Sequence, residues 1–461
     1  ELCAMNASLM TAFDGATICA IATPSGMGGI AVVRVSGPEA FSICSQLFSR
    51  DLAQIDSHRV VFGRLRSSDG ELLDECVATV FRGPGSYTGE DTVELGLHGS
   101  PFVQQEAVRA LLDAGCRHAG PGEFTARAFL NGRLDLTQAE AVGDLIAAEH
   151  AGAHALAIDQ LRGTFAAEIN ALRESLIGFA GLLELELDFA EEDVEFADRA
   201  RFDALLAEML GRIEGLADSF RTGNAIRDGV PVAILGAPNR GKSTLLNALL
   251  GDERAIVSEI AGTTRDTVED TCILGGIKFR FVDTAGIRQT TDAIEAEGIR
   301  RALARARSAQ IILYLFDAST DAMTESASAV EALDHAAGSA VLQVWNKCDL
   351  APAPLPASPD VVHLSARDGA GLTVLRDRLV ELASATTSTS AVVVTNLRHY
   401  EALRAAAEAL NAVRTGLSSG LPTDLAASDI RQALHHLGAI TGAIDPEDIL
   451  DHIFANFCIG K

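Results

Sequence analysis

Along the chain the spacing of apolar residues changes character several times. From about Thr17 to Phe81, short runs rich in β-branched residues ("GGIAVVRV", "HRVVFGRL", "ECVATVF") are separated by turns such as "SSDG". Runs of that length bounded by turn residues predict strands. An amphipathic pattern from Pro101 to Ala114 predicts a helix, so a mixed α/β domain is expected. The period then becomes three to four. Leu161, Phe165, Ile169, Leu172, Leu176, Phe179, Leu183 and Leu187 fall on one face of a single long helix. A second helical pattern runs through Leu205, Met209, Ile213 and Leu216 and ends near "TGNAIRDGVP".

From Val232 the pattern changes to buried strands, "VAILG", "FRFVDTAG", "IILYLFD", "VLQVWNKCD" and "VVHLSA", alternating with helical stretches. This order predicts a parallel, doubly wound sheet. "APAPLPASPD" reads as a surface loop within it, and the polar "SATTSTSA" from Ser384 as its exit linker. Helical periodicity returns through Tyr400, Leu403, Leu410 and Val413, then Ile430, Leu434 and Leu437. A last helix is predicted from Asp445, an N-cap followed by Pro446 and two acids. Neither helical block ends in a self-contained bundle, so the two are expected to pack together, with the α/β unit inserted between them. The fold class expected is α/β plus all-α. The expected division is a mixed α/β domain (1–131), a first helical part (132–228), a Ras-like doubly wound domain (229–384) and a second helical part (385–461).

Composition narrows the function classes. A length of 461 residues suits about three domains, and 48% apolar residues suffice for real cores. No apolar run approaches the roughly 20 residues of a membrane span, and no basic flank with an apolar segment marks a secretion signal, so a soluble, cytoplasmic protein is expected. The net charge of −26 argues against broad non-specific nucleic-acid binding, leaving a local basic surface or a basic partner as the route to RNA. The eight cysteines include no CxxC pair, which gives neither a zinc framework nor a disulfide one; most are expected as small core residues. Eight carboxylates lie between Glu184 and Asp198. With no histidine nearby and no ligand-loop glycine, they read as a solvated acidic face rather than a metal site.

The chemistry concentrates in the α/β unit. "GAPNRGKST" follows a strand and opens a helix, as a phosphate-binding loop requires. Its glycines let backbone N–H groups, with Asn239, Arg240, Gly241 and Thr244 in the loop, approach phosphates. Lys242 would reach the β- and γ-phosphates and Ser243 would ligate Mg²⁺. In order come "GTTRD" from Gly262 (Thr263, Thr264), "DTAG" (Asp283, Thr284, Ala285, Gly286), "NKCD" (Asn346, Lys347, Asp349) and "LSA" (Ser365, Ala366). Asp349 can accept from guanine N1–H and the 2-amino group; adenine offers no donor at either place and would leave a buried carboxylate unpaired. The base is expected to be guanine, and the ligand GTP.

After DTAG, Ras-like proteins carry a glutamine that orients the attacking water. Here the position is Ile287. Asn239 can present a side-chain oxygen beside the phosphates and the "GTT" turn backbone carbonyls opposite it, a donor-free set that suits K⁺. Such an ion would offset phosphate charge as an arginine finger does. Glu295, beyond DTAG, is a candidate to orient water; by periodicity alone it is a solvated helix residue.

These motifs, with "IATPSGMGGIAVVRVSG", "GSYTGEDTVELGLHG", "PGEFTARAFLNGRLDLTQAEAVGDLI" and the terminal "FCIGK", resemble the MnmE (TrmE) family of tRNA modification GTPases over nearly the whole chain. The resemblance implies an N-terminal domain similar to folate-dependent aminomethyltransferases that binds a tetrahydrofolate derivative (5-formyl- or methylene-tetrahydrofolate) and dimerises. It also implies a discontinuous helical domain, an inserted G domain, and an FAD-containing partner, MnmG, in a heterotetramer or larger complex. Together these install an aminomethyl or carboxymethylaminomethyl group at C5 of the wobble uridine of certain tRNAs. Carried onto matching positions, the resemblance places K⁺ at Asn239, Ser258, Ile260 and Thr263, and Mg²⁺ at Ser243 and Thr264. It gives the water-orienting role to Glu295, and folate binding to Arg34, Glu94, Arg133 and Lys461. Arg133 departs from the lysine frequent in the family and keeps the charge without the ammonium's point-like geometry. Read without the resemblance, Arg34 and Glu94 would be a surface ion pair, and Cys458 a packed thiol with no histidine beside it; the resemblance adds a role for Cys458 in the uridine chemistry, as nucleophile or acid. Two other readings stay open: a folate-dependent one-carbon transferase with a merely regulatory G domain, and a GTP-switched assembly factor without modification chemistry.

Overall fold

The computed structural model describes residues 15–189, 199–251, 270–282, 309–320, 339–353, 356–387, 392–419 and 423–444, with Phe457 and Gly460. They group into two compact units. The first is Glu1–Gly143 with Asp159–Asp203 and Glu408–Lys461; the second is Asp144–Ile158 with Ala204–Ala407.

The first unit opens with the predicted mixed α/β part. Strands β1 (Ile18–Ile21), β2 (Ala31–Ser36), β3 (Arg59–Arg66), β4 (Leu72–Phe81), β5 (Thr92–Leu97) and β6 (Arg117–His118) form one sheet in the order β3-β4-β5-β2-β1-β6. All neighbours are antiparallel except β1 and β6. Alternation along β2, β4 and β5 sends Val33, Val35, Cys76, Ala78, Val80, Val93, Leu95 and Leu97 into one core with α1 (Ala40–Leu47) and α2 (Pro101–Asp113). Burying each large apolar side chain there contributes about 1.5–3 kcal/mol. The opposite face carries Arg34 and Glu94. Helix α3 (Glu123–Leu130) lies on that face and lays Phe124 against Ile18 and Ala20.

Helices α4 (Leu136–Ala147), α5 (Ala151–Leu161) and α6 (Thr164–Phe189) follow. The apolar stripe from Leu161 is therefore divided between two helices. Gly163 sits at φ +81° just beyond α5, a left-handed stop that favours glycine. In α6, Phe165, Ile169, Leu172, Leu176 and Phe179 are buried as the period requires.

After α7 (Arg199–Asp218) and α8 (Phe220–Asp228), the second unit forms its sheet from β7 (Val230–Leu235), β8 (Asp270–Leu274), β9 (Ile277–Phe281), β10 (Ile311–Asp317), β11 (Ala340–Asn346) and β12 (Val361–His363), in the order β12-β11-β10-β7-β9-β8. Helices α9 (Lys242–Leu250) and α10 (Leu372–Thr387) bury Leu245, Leu249, Leu375 and Leu379 against one face. The sheet is not wholly parallel. Strand β8 runs antiparallel to β9 through a two-residue turn at Gly275 and Gly276, φ +55° and +79°, the conformation a tight hairpin demands at both positions. The stretch read as an exit linker is also corrected, since α10 continues to Thr387, anchored by buried Ala383.

Helices α11 (Leu397–Ser418) and α12 (Thr423–Thr441) are the last helices among the described residues. Within the first unit α12 packs on α6, so helical segments from before and after the inserted sheet share a core, as expected. The acidic stretch and the helix predicted from Asp445 fall outside the described residues. Among described residues no helix is long and apolar enough to cross a membrane.

Candidate functional site

The carboxyl ends of β7, β10, β11 and β12 converge, the edge where open α/β sheets bind ligands. Buried β7 ends at Gly236 and the loop turns into α9 at Lys242. Gly236 has φ +139°, and a Cβ there would lie 2.6 Å from the Leu315 carbonyl oxygen; Gly241 has φ +91°, and a Cβ there would collide with Asn346 Nδ2. The strands on either side approach this loop too closely for any side chain. Asn239 takes φ +64°, which asparagine tolerates better than most residues, and its side chain is exposed. Lys242 Nζ donates to the carbonyls of Gly236 and Ala237, both at 2.9 Å, which holds the ammonium beneath the loop. Ser243 and Thr244 are exposed in the first turn of α9, where the helix dipole favours an anion.

Asn346 ties three motifs together. Only 3% exposed, it donates from Nδ2 to the Arg240 carbonyl (2.9 Å) and accepts at Oδ1 from the Ala366 amide (3.0 Å). Arg240 lies over the Phe316 ring and donates to the Leu315 carbonyl at 3.3 Å. Ser365 is buried, its Oγ accepting from the Asp368 amide at 3.3 Å. Lys347, at φ +64°, extends Nζ to 2.5 Å from Asp317 Oδ2, while Ser319 donates to Asp317 Oδ1 from Oγ (2.5 Å) and from its amide (2.9 Å). Burial alone would raise the Asp317 carboxyl; the bonds from Lys347 and Ser319 outweigh it and hold the group below the usual carboxylate range. Asp349 is exposed, not buried as the argument against adenine assumed. Its desolvation would have to come from the base laid over it.

A second polar site lies on the outer face of the first unit's sheet. Arg34 and Glu94 are register partners on β2 and β5, with Arg34 Nε 2.9 Å and its terminal nitrogen 2.8 Å from Glu94 Oε1. The guanidinium lies over the rings of Tyr87 (5.2 Å) and Phe124 (5.5 Å). Burial raises the Tyr87 phenol, against the lowering effects of Thr125, whose hydroxyl it meets at 2.8 Å, and of the Arg34 charge. Arg133 is exposed, and its Cγ abuts Gly89, two residues from Tyr87. Gly460 (φ +102°) is packed so closely on β1 that a Cβ would run into the Ile21 carbonyl. Ala20 of β1 pairs with Arg34, so Gly460 is docked on the strand next to that of Arg34.

Residues 136–458 match the MnmE helical domain and residues 17–133 the N-terminus of the GTP-binding protein TrmE. The tRNA modification GTPase MnmE of Cytophaga hutchinsonii is 49% identical over 451 residues, covering 96% of this chain and 98% of that protein. Those of Christiangramia forsetii (49% over 477 residues, 96% and 99% covered) and Porphyromonas gingivalis (45% over 476 residues, 98% and 100% covered) match similarly. The chain belongs to the MnmE family of tRNA modification GTPases.

Several positions expected to act in this MnmE family member lie outside the described residues: Ser258, Ile260, Thr263, Thr264, Asp283, Thr284, Ala285, Gly286, Glu295, Cys458 and Lys461. Of the proposed ion ligands, Asn239 and Ser243 are described. Sequence reasoning missed Asp317, although it ends the quoted strand "IILYLFD", because nothing local shows that it meets Lys347 thirty residues on. It also missed the Tyr87 and Phe124 rings around Arg34, and buried Arg127, which bonds Glu90 (3.1 and 3.2 Å) and Glu123 (2.9 Å). Of the eight cysteines, Cys19, Cys44, Cys76, Cys116 and Cys272 are buried, in line with their reading as core residues.

Proposed function

We propose that this MnmE family member hydrolyses GTP with Mg²⁺ at the loop Gly236–Thr244, is activated there by K⁺, and acts as a cytoplasmic homodimer with the FAD-containing MnmG on the wobble uridine of tRNA. A one-carbon unit would come from tetrahydrofolate held at Arg34, Glu94, Arg133 and Lys461. The observation that carries this reading is the Asn346 tie, which links the phosphate loop to the NKCD and LSA segments.

The described residues fit each group. Gly236 and Gly241 leave a cradle that a Cβ would fill, Lys242 stands below it, and the start of α9 supplies N–H donors for phosphates. The hydroxyl of Ser243 suits a hard cation such as Mg²⁺, and the Asn239 amide oxygen suits K⁺. At the second site, the Glu94 carboxylate can accept from the paired N–H donors of a pterin edge, flanked by Arg34 and two aromatic rings. When bound, K⁺ supplies positive charge beside the phosphates. Lys242 adds its own, Asn239 fixes the ion's place, and Glu295 orients water in place of the glutamine absent at Ile287. A bound folate would supply the one-carbon unit, and Cys458 would serve the uridine chemistry as nucleophile or acid.

The test is GTP turnover at matched ionic strength in K⁺ and in Na⁺, for wild type and Glu295→Ala. An arginine finger contributes roughly 10³–10⁵ in rate, about 4–7 kcal/mol, so K⁺ should stimulate by orders of magnitude, and the variant should lose that turnover while still binding GTP. Equal rates in both salts would refute the cation reading. Unchanged wobble uridines in a deletion strain would refute the modification reading.

A further inference from the structure

At the carboxyl ends of β10 and β11, Asp317 and Lys347 form a pair that no role proposed above uses. Asp317 Oδ2 accepts from Lys347 Nζ at 2.5 Å, and Oδ1 accepts from the Ser319 hydroxyl at 2.5 Å and the Ser319 amide at 2.9 Å. The Asp317 side chain is 7% exposed and that of Lys347 32%. A nearly buried carboxylate, held on one side by Ser319, is thus the anchor that the partly exposed lysine reaches.

The backbone around Lys347 is already set. The residue takes φ +64°, and its carbonyl accepts from the Leu350 amide at 2.9 Å. The Cys348 amide donates to the Leu364 carbonyl at 3.2 Å, and the Ala318 amide to the Asn346 carbonyl at 2.9 Å. These bonds leave only the four-carbon stem of the side chain undetermined. A lysine stem has among the largest rotamer freedoms of any side chain, and a ligand that has to order it bears that loss. Held by Asp317, the stem is ordered before a nucleotide arrives.

The anchor also bears on Asp349, the carboxylate expected to read guanine. It is exposed, and among the described residues no hydrogen bond or ion pair occupies it. Lys347 stands two positions before it in the same motif, and an ammonium on a flexible stem is a natural rival for that carboxylate. Engaged by Asp317, the ammonium leaves the Asp349 oxygens open to the base. Another cation of this edge, Arg240, is held elsewhere, over the Phe316 ring and bonded to the Leu315 carbonyl at 3.3 Å.

We propose that Asp317 is a positioning residue for the guanine nucleotide: it fixes Lys347 in its binding-ready conformation and keeps the ammonium from closing on Asp349. Ser319 in turn fixes the Asp317 carboxylate. This rests on the GTP reading of the site given above.

The test is steady-state GTP turnover by the full chain with Mg²⁺ and K⁺, for wild type, Asp317→Asn, Ser319→Ala, Lys347→Met and the double variant Asp317→Asn with Lys347→Met. The loop Gly236–Thr244 holds the phosphates, so a loss of positioning on the base side should appear in KM and leave kcat in place; KM follows affinity where chemistry is slower than nucleotide release. Asp317→Asn is expected to raise KM about tenfold or more with kcat within about twofold of wild type. Ser319→Ala keeps the ion pair and should raise KM about threefold, the loss of one neutral hydrogen bond. Because Asp317 acts through the lysine, its substitution in the Lys347→Met background should change KM by less than about twofold. Unchanged KM in both Asp317→Asn and Ser319→Ala would overturn the proposal. A fall in kcat as large as the rise in KM would mean structural damage and overturn it too, as would an undiminished effect of Asp317→Asn on top of Lys347→Met. A wild type without turnover would instead refute the GTPase reading itself.

Discussion

Substituting Asp317→Asn isolates one interaction in the nucleotide unit. The asparagine keeps an oxygen for the Ser319 hydroxyl and amide, which meet Oδ1, and loses the charged bond from Oδ2 to Lys347. A hydrogen bond to a charged group contributes about 1.5–3 kcal/mol, whereas an exposed ion pair contributes about 0–1 kcal/mol. The Asp317 side chain is 7% exposed and that of Lys347 32%, so a freed ammonium recovers part of its hydration and the loss should fall in the lower half of the first range, about 2 kcal/mol. The chain's single tryptophan, Trp345, is fully buried, stacks on Phe316 at 4.9 Å and lies two residues before Lys347. Its fluorescence in a urea titration therefore reports unfolding of this unit, and the midpoint should fall with unchanged slope. Because the folded carboxyl is held below its ordinary value, the stabilisation is present above the unfolded carboxyl value of about 3.9. It is lost as pH falls through the folded value. The gap between wild type and variant should thus be constant from neutral pH down to about 5 and shrink below about 4. A gap under about 0.5 kcal/mol at pH 7, or one that persists undiminished in acid, would refute the reasoning.

Two glycine substitutions probe the geometry elsewhere. Gly241→Ala combines a left-handed backbone with a Cβ collision on Asn346, so the ties from Asn346 to Arg240 and Ala366 should break; guanine nucleotide affinity is expected to fall at least a hundredfold by fluorescent-GDP titration, and affinity within threefold of wild type would count against the tie. Gly460→Ala should undock the tail from Ile21 and speed removal of C-terminal residues by carboxypeptidase, with an unchanged digestion rate speaking against that contact.

Much of the nucleotide site is legible in the sequence because its parts are local. A strand–loop–helix with glycines at Gly236 and Gly241 needs only its own residues to announce a phosphate cradle, and NKCD spells a base-recognition pattern within four positions. The Gly275–Gly276 hairpin was also written there, but the reading of a parallel sheet passed over it; a two-glycine loop between short apolar runs permits antiparallel return, and β8 takes it. Gly163 likewise marked the division of the apolar stripe between α5 and α6, since periodicity alone does not distinguish a continuing helix from a second one in phase.

The sequence by itself determined the periods, the breakers, the motif chemistry and the family of this chain, all properties of residues near one another along the backbone. Tertiary structure alone decided that Asp317 meets Lys347, that Asn346 joins three loops, and that Tyr87 and Phe124 flank Arg34. Those contacts arise where strands distant in sequence become neighbours in a sheet. Strand pairing is fixed by the burial of whole faces, which no single residue or local spacing records.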